Sequence, residues 1–138
     1  MTDTQPAATE KTMLVLQGKR ILVVEDNMEN LRLFRALLHL GGAIVLEADN
    51  ARAGLEIAKR EQPDMILMDI HMPGMDGLEA TRVLRADETT QAIPILAVTA
   101  SIMPRELDEI INAGCDSYLP KPIEPGSFAR QIAAYLRS

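Results

Sequence analysis

The chain has 138 residues, which suits one domain, and 47% of them are apolar, enough to build an ordinary core. Its formal net charge of −6 disfavours nucleic acid as a partner, because phosphate contacts need clustered Lys and Arg side chains. The single cysteine, Cys115, allows no internal disulfide, and no apolar run is long enough for membrane insertion. We therefore expect a cytoplasmic protein that neither binds nucleic acid nor inserts into a membrane.

The pattern divides the chain into a tail over residues 1–18, expected to be flexible, and a domain over residues 19–138. Residues 1–11 are small and polar, a composition that is typical of disordered termini. The sequence TMLVLQG, residues 12–18, leaves two interpretations open. It is either an ordered lead-in to the domain or a tail that packs on the domain.

Five apolar runs, each followed by a helix-like stretch, make up the domain. The runs cover residues 20–25, 43–48, 64–69, 93–100 and 116–120, and the helices cover 27–42, 50–62, 77–87, 104–114 and 126–137. Asp49 or Asn50 is expected to cap the second helix, and Pro104 lies near the first turn of the fourth. The last helix is expected to present one apolar face, formed by Phe128, Ile132, Tyr135 and Leu136.

The central runs are apolar without alternation, as strands covered on both faces are. Strands that alternate with helices predict a parallel sheet, and right-handed crossovers place helices on both sides of that sheet. The predicted fold is therefore an α/β doubly wound sheet of five parallel strands, with helices on both faces.

Polar side chains follow four of the five strands, and parallel strands end at a common edge where ligands bind. These side chains are Glu25 and Asp26 after the first strand, Asp69 after the third, Thr99 after the fourth and Lys121 after the fifth. Three carboxylates that lie close together repel one another, so the predicted site needs a cation. Oxygen ligands without a Cys or His cluster indicate a hard ion, and Mg²⁺ fits best.

The same edge predicts phosphoryl chemistry. Mg²⁺ favours one or two carboxylates together with phosphate oxygens, and a hydroxyl and an ammonium group suit the remaining phosphoryl oxygens. Aspartate is a known nucleophile toward phosphorus. The interpretation is a Mg²⁺ site at which Asp69, held at a strand end, reacts with a phosphoryl group.

Four motifs resemble those of the receiver domain of bacterial two-component response regulators. They occur in order as ILVVEDN (21–27), DMILMDIHMPGMDG (64–77), PILAVTA (94–100) and YLPKPI (118–123). The resemblance covers about residues 19–138 and implies the flavodoxin-like strand order 2-1-3-4-5. A chemotaxis receiver is the standard example of that order, so the order is carried over rather than worked out from the pattern.

The resemblance implies a role for each residue at the predicted site. Asp69 matches the phosphoacceptor and a Mg²⁺ ligand, and Asp26 matches a direct Mg²⁺ ligand. Glu25 would act through a metal-bound water, and the backbone carbonyl of His71 would be a further ligand. Thr99 would hydrogen-bond the phosphoryl group.

The fifth strand carries two more positions of the family. Lys121 would pair with the phosphoryl group, and the bond from Lys121 to Pro122 is expected to be cis, as in relatives. Tyr118 matches the aromatic switch residue, which would respond together with Thr99. Met28 and Leu31, near the Asp69 end of the first helix, are expected to contact the phosphodonor.

Each of these residues taken alone has a simpler explanation. Asp69 and Asp26 could cap helices, Thr99 could be an ordinary strand residue, and Lys121 could be a surface lysine. Tyr118 could fill the core. A zinc site at His71 is disfavoured because the only other histidine lies on a distant helix. The four motifs together favour the functional interpretation.

The expected function is that of a single-domain response regulator, because no output domain follows the last helix. Its partners would be a sensor histidine kinase or histidine phosphotransfer protein and a downstream target protein, and it would not be an enzyme beyond its own phosphoryl uptake and loss.

An alternative is the receiver of a hybrid kinase. An aspartyl-phosphate phosphatase is disfavoured, because position 71 is not a second carboxylate. A flavodoxin-like electron carrier is disfavoured, because EDNMEN (25–30) would repel a flavin phosphate.

Overall fold

A computed structural model of the chain describes residues 14–100 and 103–137. Its five strands form one parallel sheet in the order β2-β1-β3-β4-β5, which confirms the predicted fold class and the strand order that the resemblance implied. The strands are β1 (Arg20–Val24), β2 (Ile44–Ala48), β3 (Met65–Asp69), β4 (Ile95–Thr99) and β5 (Ser117–Pro120).

Five α-helices connect and flank the strands, each within a few residues of its predicted bounds. They are α1 (Met28–Leu40), α2 (Ala51–Glu61), α3 (Gly77–Ala86), α4 (Pro104–Ala113) and α5 (Phe128–Arg137). Asn50, rather than Asp49, caps α2, because the Asn50 side chain accepts a 2.8 Å hydrogen bond from the amide of Ala53. None of the described helices is long and apolar enough to cross a membrane.

Two apolar layers cover the two faces of the sheet. All residues of β3 and β4 are buried, as expected for strands covered on both sides. Alternate strand residues contribute to the two layers, so that Leu22 faces one and Ile21 the other. Buried residues of α2, α3 and α4 complete the first layer, and those of α1 and α5 complete the second. Three helices therefore pack on one face and two on the other.

The last helix departs in part from its predicted apolar face. Phe128 and Ile132 are buried, and the Phe128 ring lies 5.7 Å from that of Phe34 in α1. Tyr135 is 37% exposed, so it lies at the exposed margin of the predicted apolar face rather than in the core. Its hydroxyl lies 2.7 Å from Oγ of Ser117 on β5, and this partner holds the phenol at the surface of the helix.

The segment before β1 is packed against the domain from Leu14 onwards. Leu14–Leu16 forms a short 3-10 helix, and Leu16 is fully buried in the layer that α1 and α5 cover. The Leu16 amide donates a 2.8 Å hydrogen bond to the carbonyl of Gly41. Leu14–Leu16 therefore packs on the end of the domain rather than extending away from it. Residues 1–13 lie outside the described part of the chain.

Candidate functional site

Three carboxylates meet at the carboxyl ends of β1 and β3. These strands are adjacent and parallel, and Val24 pairs with Met68, so the residues that follow lie side by side. Glu25, Asp26 and Asp69 each place a carboxylate oxygen within 4.8 Å of the others, and they are the one such cluster among the described residues. Glu25 and Asp69 are buried, whereas Asp26 is exposed. The structure thus brings together the acidic residues predicted from the sequence.

The Asp69 carboxylate is electrostatically unfavourable in this setting. The residue is only 3% exposed, and its pKa is raised from the ordinary 3.8 to about 7. Burial is the largest cause of this shift; hydrogen bonding to Glu25 and the charge of Glu25 also raise the pKa, whereas the charge of Lys121 lowers it. A positive charge placed among these oxygens would favour the ionised carboxylate that a nucleophile requires.

Lys121 supplies one positive charge to the cluster. Its Nζ atom lies 3.3 Å from Oδ1 of Asp69 and 3.4 Å from Oε1 of Glu25. The backbone positions it, because the Lys121 amide donates a 2.8 Å hydrogen bond to the carbonyl of Thr99 at the end of β4. The peptide bond between Lys121 and Pro122 is cis, as the resemblance implied. The predicted lysine and the predicted carboxylates therefore form one site.

The hydrogen bonds of the carboxylates leave room for a cation. Oε2 of Glu25 accepts a 3.1 Å hydrogen bond from the Asn27 amide. Oε1 is buried and has no hydrogen-bond partner among the described residues, since the Lys121 ammonium 3.4 Å away makes an ion pair rather than a hydrogen bond. A buried carboxylate oxygen without such a partner is costly. A divalent cation with oxygen ligands fits this donor set, and Mg²⁺ in particular prefers it.

The two residues that follow Asp69 lead away from the cluster. The amide of His71 lies 3.3 Å from Oδ1 of Asp69 and donates to it. The His71 imidazole is exposed, with Nε2 4.0 Å from Oε2 of Glu106 on α4. The imidazole therefore does not face the carboxylates, which fits the expectation that only the backbone of this residue concerns the site.

Thr99 ends β4 beside the cluster and is buried. It follows Val98, which pairs with Asp69 across the sheet. Tyr118 on β5 is half-buried and packs against the apolar layer that α2, α3 and α4 cover. A cavity of about 490 Å³ opens next to Thr99, between α4 and the loop after β3. It is lined by Ile70, His71, Met72, Asp76, Leu78, Thr99, Glu106, Glu109 and Ile110.

The predicted docking residues fall on different sides of α1. Met28 is 49% exposed, but Leu31 is 4% exposed and belongs to the core, so a docking role for the Leu31 side chain is wrong. Helical geometry explains this, because Leu31, Phe34 and Leu38 follow one another at intervals of three and four residues. Leu33, which the sequence reasoning missed, is 39% exposed.

A shallow apolar groove of about 330 Å³ lies between α1 and the turn after β5. Its lining reaches from the first helix to the site lysine and consists of Asn30, Leu33, Phe34, Ala100, Lys121, Pro122 and Ile123. The helical pattern of polar and apolar residues on α1 does not reveal this groove, because three of its seven lining residues come from a turn about 90 residues further along the chain.

A parallel doubly wound sheet whose carboxyl edge carries a carboxylate cluster facing a lysine defines a receiver-type signalling domain. Residues 21–133 match the family model described as the response regulator receiver domain. The chain belongs to this family, and with it to two-component signalling. Receiver domains bind Mg²⁺ at an acidic pocket, and they interact with histidine kinases and downstream targets.

Individual relatives agree with this assignment. The polar-differentiation response regulator DivK of Brucella anthropi is 39% identical over 118 residues, which cover 86% of this chain and 96% of that protein. The receiver domain of a sensor histidine kinase from Pseudomonas aeruginosa PAO1, solved with a magnesium ion coordinated in its active site cleft, is 34% identical with a TM-score of 0.81. That match covers 88% of this chain and 99% of the other.

A second solved structure shows the same fold at lower identity. The chemotaxis protein CheY4 of Vibrio cholerae is 26% identical with a TM-score of 0.81, and the match covers 85% of this chain and 98% of that one. The 3-10 helix at Leu14–Leu16 lies before the residues that the family model matches. The packed lead-in therefore lies outside the region that the family model matches.

Proposed function

We propose that this chain is a response regulator that accepts a phosphoryl group on Asp69 from a sensor histidine kinase or a histidine phosphotransfer protein. One observation carries the proposal. A buried carboxylate stands at the carboxyl end of the central strand β3, between two further carboxylates and a lysine 3.3 Å away. A structural aspartate gains nothing from such crowding, whereas an oxygen nucleophile beside a cation site requires it.

The phosphoryl transfer follows from the groups at this edge. An oxygen of Asp69 forms a bond to phosphorus, while the bond between phosphorus and the donor's imidazole nitrogen breaks and that nitrogen keeps the electron pair. The Lys121 ammonium pairs with an oxygen of the phosphoryl group as it settles on Asp69. The Thr99 hydroxyl donates a hydrogen bond to another of these oxygens. Each group lowers the cost of a second anion at an acidic site.

Mg²⁺ is part of the proposed mechanism. Asp26 and Asp69 would hold it directly, Glu25 would hold it through a water, and the His71 carbonyl would provide a further oxygen. Bound there, it neutralises the negative charge that the phosphoryl group and the carboxylates share. The buried Oε1 atom of Glu25 without a hydrogen-bond partner and the raised pKa of Asp69 both support a cation at this position.

The donor is proposed to dock on α1 and the turn after β5. Met28 and Leu33 are exposed apolar residues of α1, and the groove beside them extends to Lys121. A donor helix seated there would present its phosphohistidine to Asp69. Exposed single apolar residues are common, so the proximity of the groove to the site lysine carries this step.

The output is proposed to pass through Thr99 and Tyr118. A hydroxyl drawn toward the phosphoryl group would leave space beside β5 that the Tyr118 ring could fill by turning inward. The cavity beside Thr99 supports such a movement, because this part of the structure is not closely packed. The surface of α4, β5 and α5 would change with it and bind a downstream target. In this proposal the receiver acts in the cytoplasm.

The function is tested by incubation with acetyl phosphate and Mg²⁺. A receiver takes up one phosphoryl group per chain and then loses it slowly, so the adduct is stoichiometric. A phosphatase of the aspartyl-phosphate type releases many equivalents of inorganic phosphate instead. Intact-protein mass spectrometry combined with a phosphate-release assay distinguishes the two. The absence of any phosphate adduct, with or without release of inorganic phosphate, would overturn the proposal that Asp69 accepts a phosphoryl group from acetyl phosphate.

A further inference from the structure

Gly77, the first residue of α3, has no space for a side chain. A Cβ atom built on it would lie 2.3 Å from the carbonyl oxygen of Asp69 and 2.9 Å from Cα of Ile70. Carbon and oxygen atoms that are not bonded to each other do not approach so closely. Both atoms are backbone atoms, so no rotation of a side chain relieves the contact. Gly77 is not among the residues with positive φ, and its requirement is therefore for space rather than for an unusual conformation.

The close approach is held from the side of α3. The Gly77 amide donates a 3.1 Å hydrogen bond to the Ile70 carbonyl, and the Gly77 carbonyl accepts a 2.8 Å bond from the Thr81 hydroxyl. Asp76 and Glu79 form a reciprocal capping box that fixes the start of the helix. Ala80, Thr81 and Leu84 are buried against the sheet. The helix therefore has little freedom to retreat from β3.

The strand on the other side of the contact is equally confined. β3 lies between β1 and β4, and all five of its residues are buried. Its last residue, Asp69, pairs with Val98, and the Ile70 amide donates to the Val98 carbonyl at 3.2 Å. Asp69 is the last residue of this element, and the chain turns toward α3 after it. A methyl group at position 77 must displace the Asp69 peptide rather than the body of the strand.

We propose that Gly77 is a positioning residue for the site: its missing side chain lets α3 set the location of the Asp69 carboxylate against Glu25, Asp26 and Lys121. This inference rests on the proposed function of Asp69. The carboxylate oxygens of the cluster lie within 4.8 Å of one another, so a displacement on the order of 1 Å changes which oxygens a cation reaches together. Gly77 makes no contact with phosphate or metal in this account.

The test compares Gly77→Ala with Gly114→Ala. A Cβ at Gly114 would also be crowded, 2.7 Å from Cγ of Arg85, but its neighbour is a flexible side chain at the opposite edge of the sheet. Mg²⁺ affinity is measured by calorimetry. The rate of phosphoryl uptake is measured at saturating and at limiting concentrations of acetyl phosphate, and stability is measured by urea unfolding. Alanine is the better helix former, so Gly77→Ala would stabilise α3 if the site were roomy.

We expect Gly77→Ala to weaken Mg²⁺ binding at least about tenfold and to lower the saturated uptake rate by roughly 100-fold. Gly114→Ala is expected to lose stability and keep both properties. Affinity within twofold of wild type in Gly77→Ala, or an equal loss in Gly114→Ala, would overturn the proposal. If Gly77→Ala does not fold in buffer, trimethylamine N-oxide is added to favour the compact state. A variant still unfolded there would make Gly77 a requirement of folding, which also overturns the positioning role.

Failure of the proposed function gives a different result. If wild-type protein forms no phosphate adduct, Asp69 is not the acceptor for acetyl phosphate, but the Mg²⁺ affinities still report whether Gly77 sets the carboxylate geometry. If wild type is phosphorylated and Gly77→Ala matches it in rate and affinity, the function stands and the positioning role fails.

Discussion

Lys121 and Asp69 are 52 residues apart in the sequence, yet Nζ of Lys121 lies 3.3 Å from Oδ1 of Asp69. The ends of β3 and β5 bring them together across β4, and the ammonium compensates only part of the negative charge at this edge. The remaining negative charge favours a bound cation. In the metal-free state, repulsion among the carboxylates lowers the free energy of unfolding.

The pH dependence of stability should report the Asp69 carboxyl group. Its folded pKa of about 7 lies above the ordinary 3.8, so the folded protein holds this proton more tightly than the unfolded chain does. In EDTA, the group's contribution should therefore fall as pH rises from about 4 to about 7 and stay constant above. At pH 8, Asp69→Asn should raise the free energy of unfolding by about 2–4 kcal/mol, and less at pH 5.

Urea unfolding of both proteins between pH 4 and pH 8 makes this measurement. Mg²⁺ should shrink the difference at pH 8, because the cation compensates the Asp69 charge, which the variant lacks. A gap between variant and wild type that does not change with pH would show that Asp69 ionises normally in the folded protein.

Removal of the metal should stop phosphoryl uptake. Without a cation, the phosphoryl group must approach three carboxylates with only Lys121 to offset them, so EDTA should abolish labelling by acetyl phosphate. Asp26→Ala should lower Mg²⁺ affinity about tenfold or more, because an exposed direct ligand is lost. Glu29→Ala, an exposed carboxylate in the first turn of α1, is the control and should bind normally. Full labelling in EDTA would rule out the metal-dependent route.

Lysine substitutions on the exposed side of α1 should weaken docking of the protein donor without changing the chemistry at Asp69. Met28→Lys combined with Leu33→Lys should slow transfer from a phosphorylated histidine phosphotransfer protein by roughly tenfold or more, because apolar anchors are lost. Labelling by acetyl phosphate should remain normal. Leu40→Lys, at the far end of the same helix and equally exposed, should change neither rate. Slowing of both reactions would indicate a fold defect rather than a docking surface.

Loss of the Thr99 hydroxyl should uncouple the site from the rest of the molecule. Beryllofluoride, a phosphoryl mimic, should shift amide resonances of Tyr118, Ile111 and Tyr135 in wild type, and most of these shifts should vanish in Thr99→Ala. Thr99→Ala should still accept a phosphoryl group. Thr90→Ala removes another buried hydroxyl, bonded to the Leu84 carbonyl at the other end of the sheet, and should respond as wild type. Equal shifts in Thr99→Ala would exclude Thr99 as the coupling residue.

Much of the fold and the site could be predicted because they depend on local patterns and on one topological rule. Uninterrupted apolar runs such as β3 mark strands that are covered on both faces, and parallel strands must end together. That rule alone placed Asp69 at the same edge of the sheet as Asp26 and Lys121. Cap chemistry was less decisive, because Asp49 and Asn50 are both good caps, and only the hydrogen bond to Ala53 identifies Asn50.

Other features depend on packing between elements, which a single sequence does not reveal. A helical pattern does not decide which residues at the margin of the apolar face are buried, so Leu31 was expected to contact the donor and Leu33 was missed. Leu16 belongs to the core because it packs in the layer that α1 and α5 cover. The crowding at Gly77 exists only once α3 is packed across the end of β3.

The central claim, that Asp69 carries the phosphoryl group, is tested most directly by locating the adduct. Protein labelled with acetyl phosphate and Mg²⁺ is reduced with borohydride, which converts an acyl phosphate to an alcohol, and the peptides are sequenced by mass spectrometry. The account predicts homoserine at position 69 and none at Asp49, a carboxylate that follows β2 outside the cluster. Asp69→Asn should give no homoserine at either position. Homoserine elsewhere in wild type, or undiminished labelling of Asp69→Asn, would contradict the account.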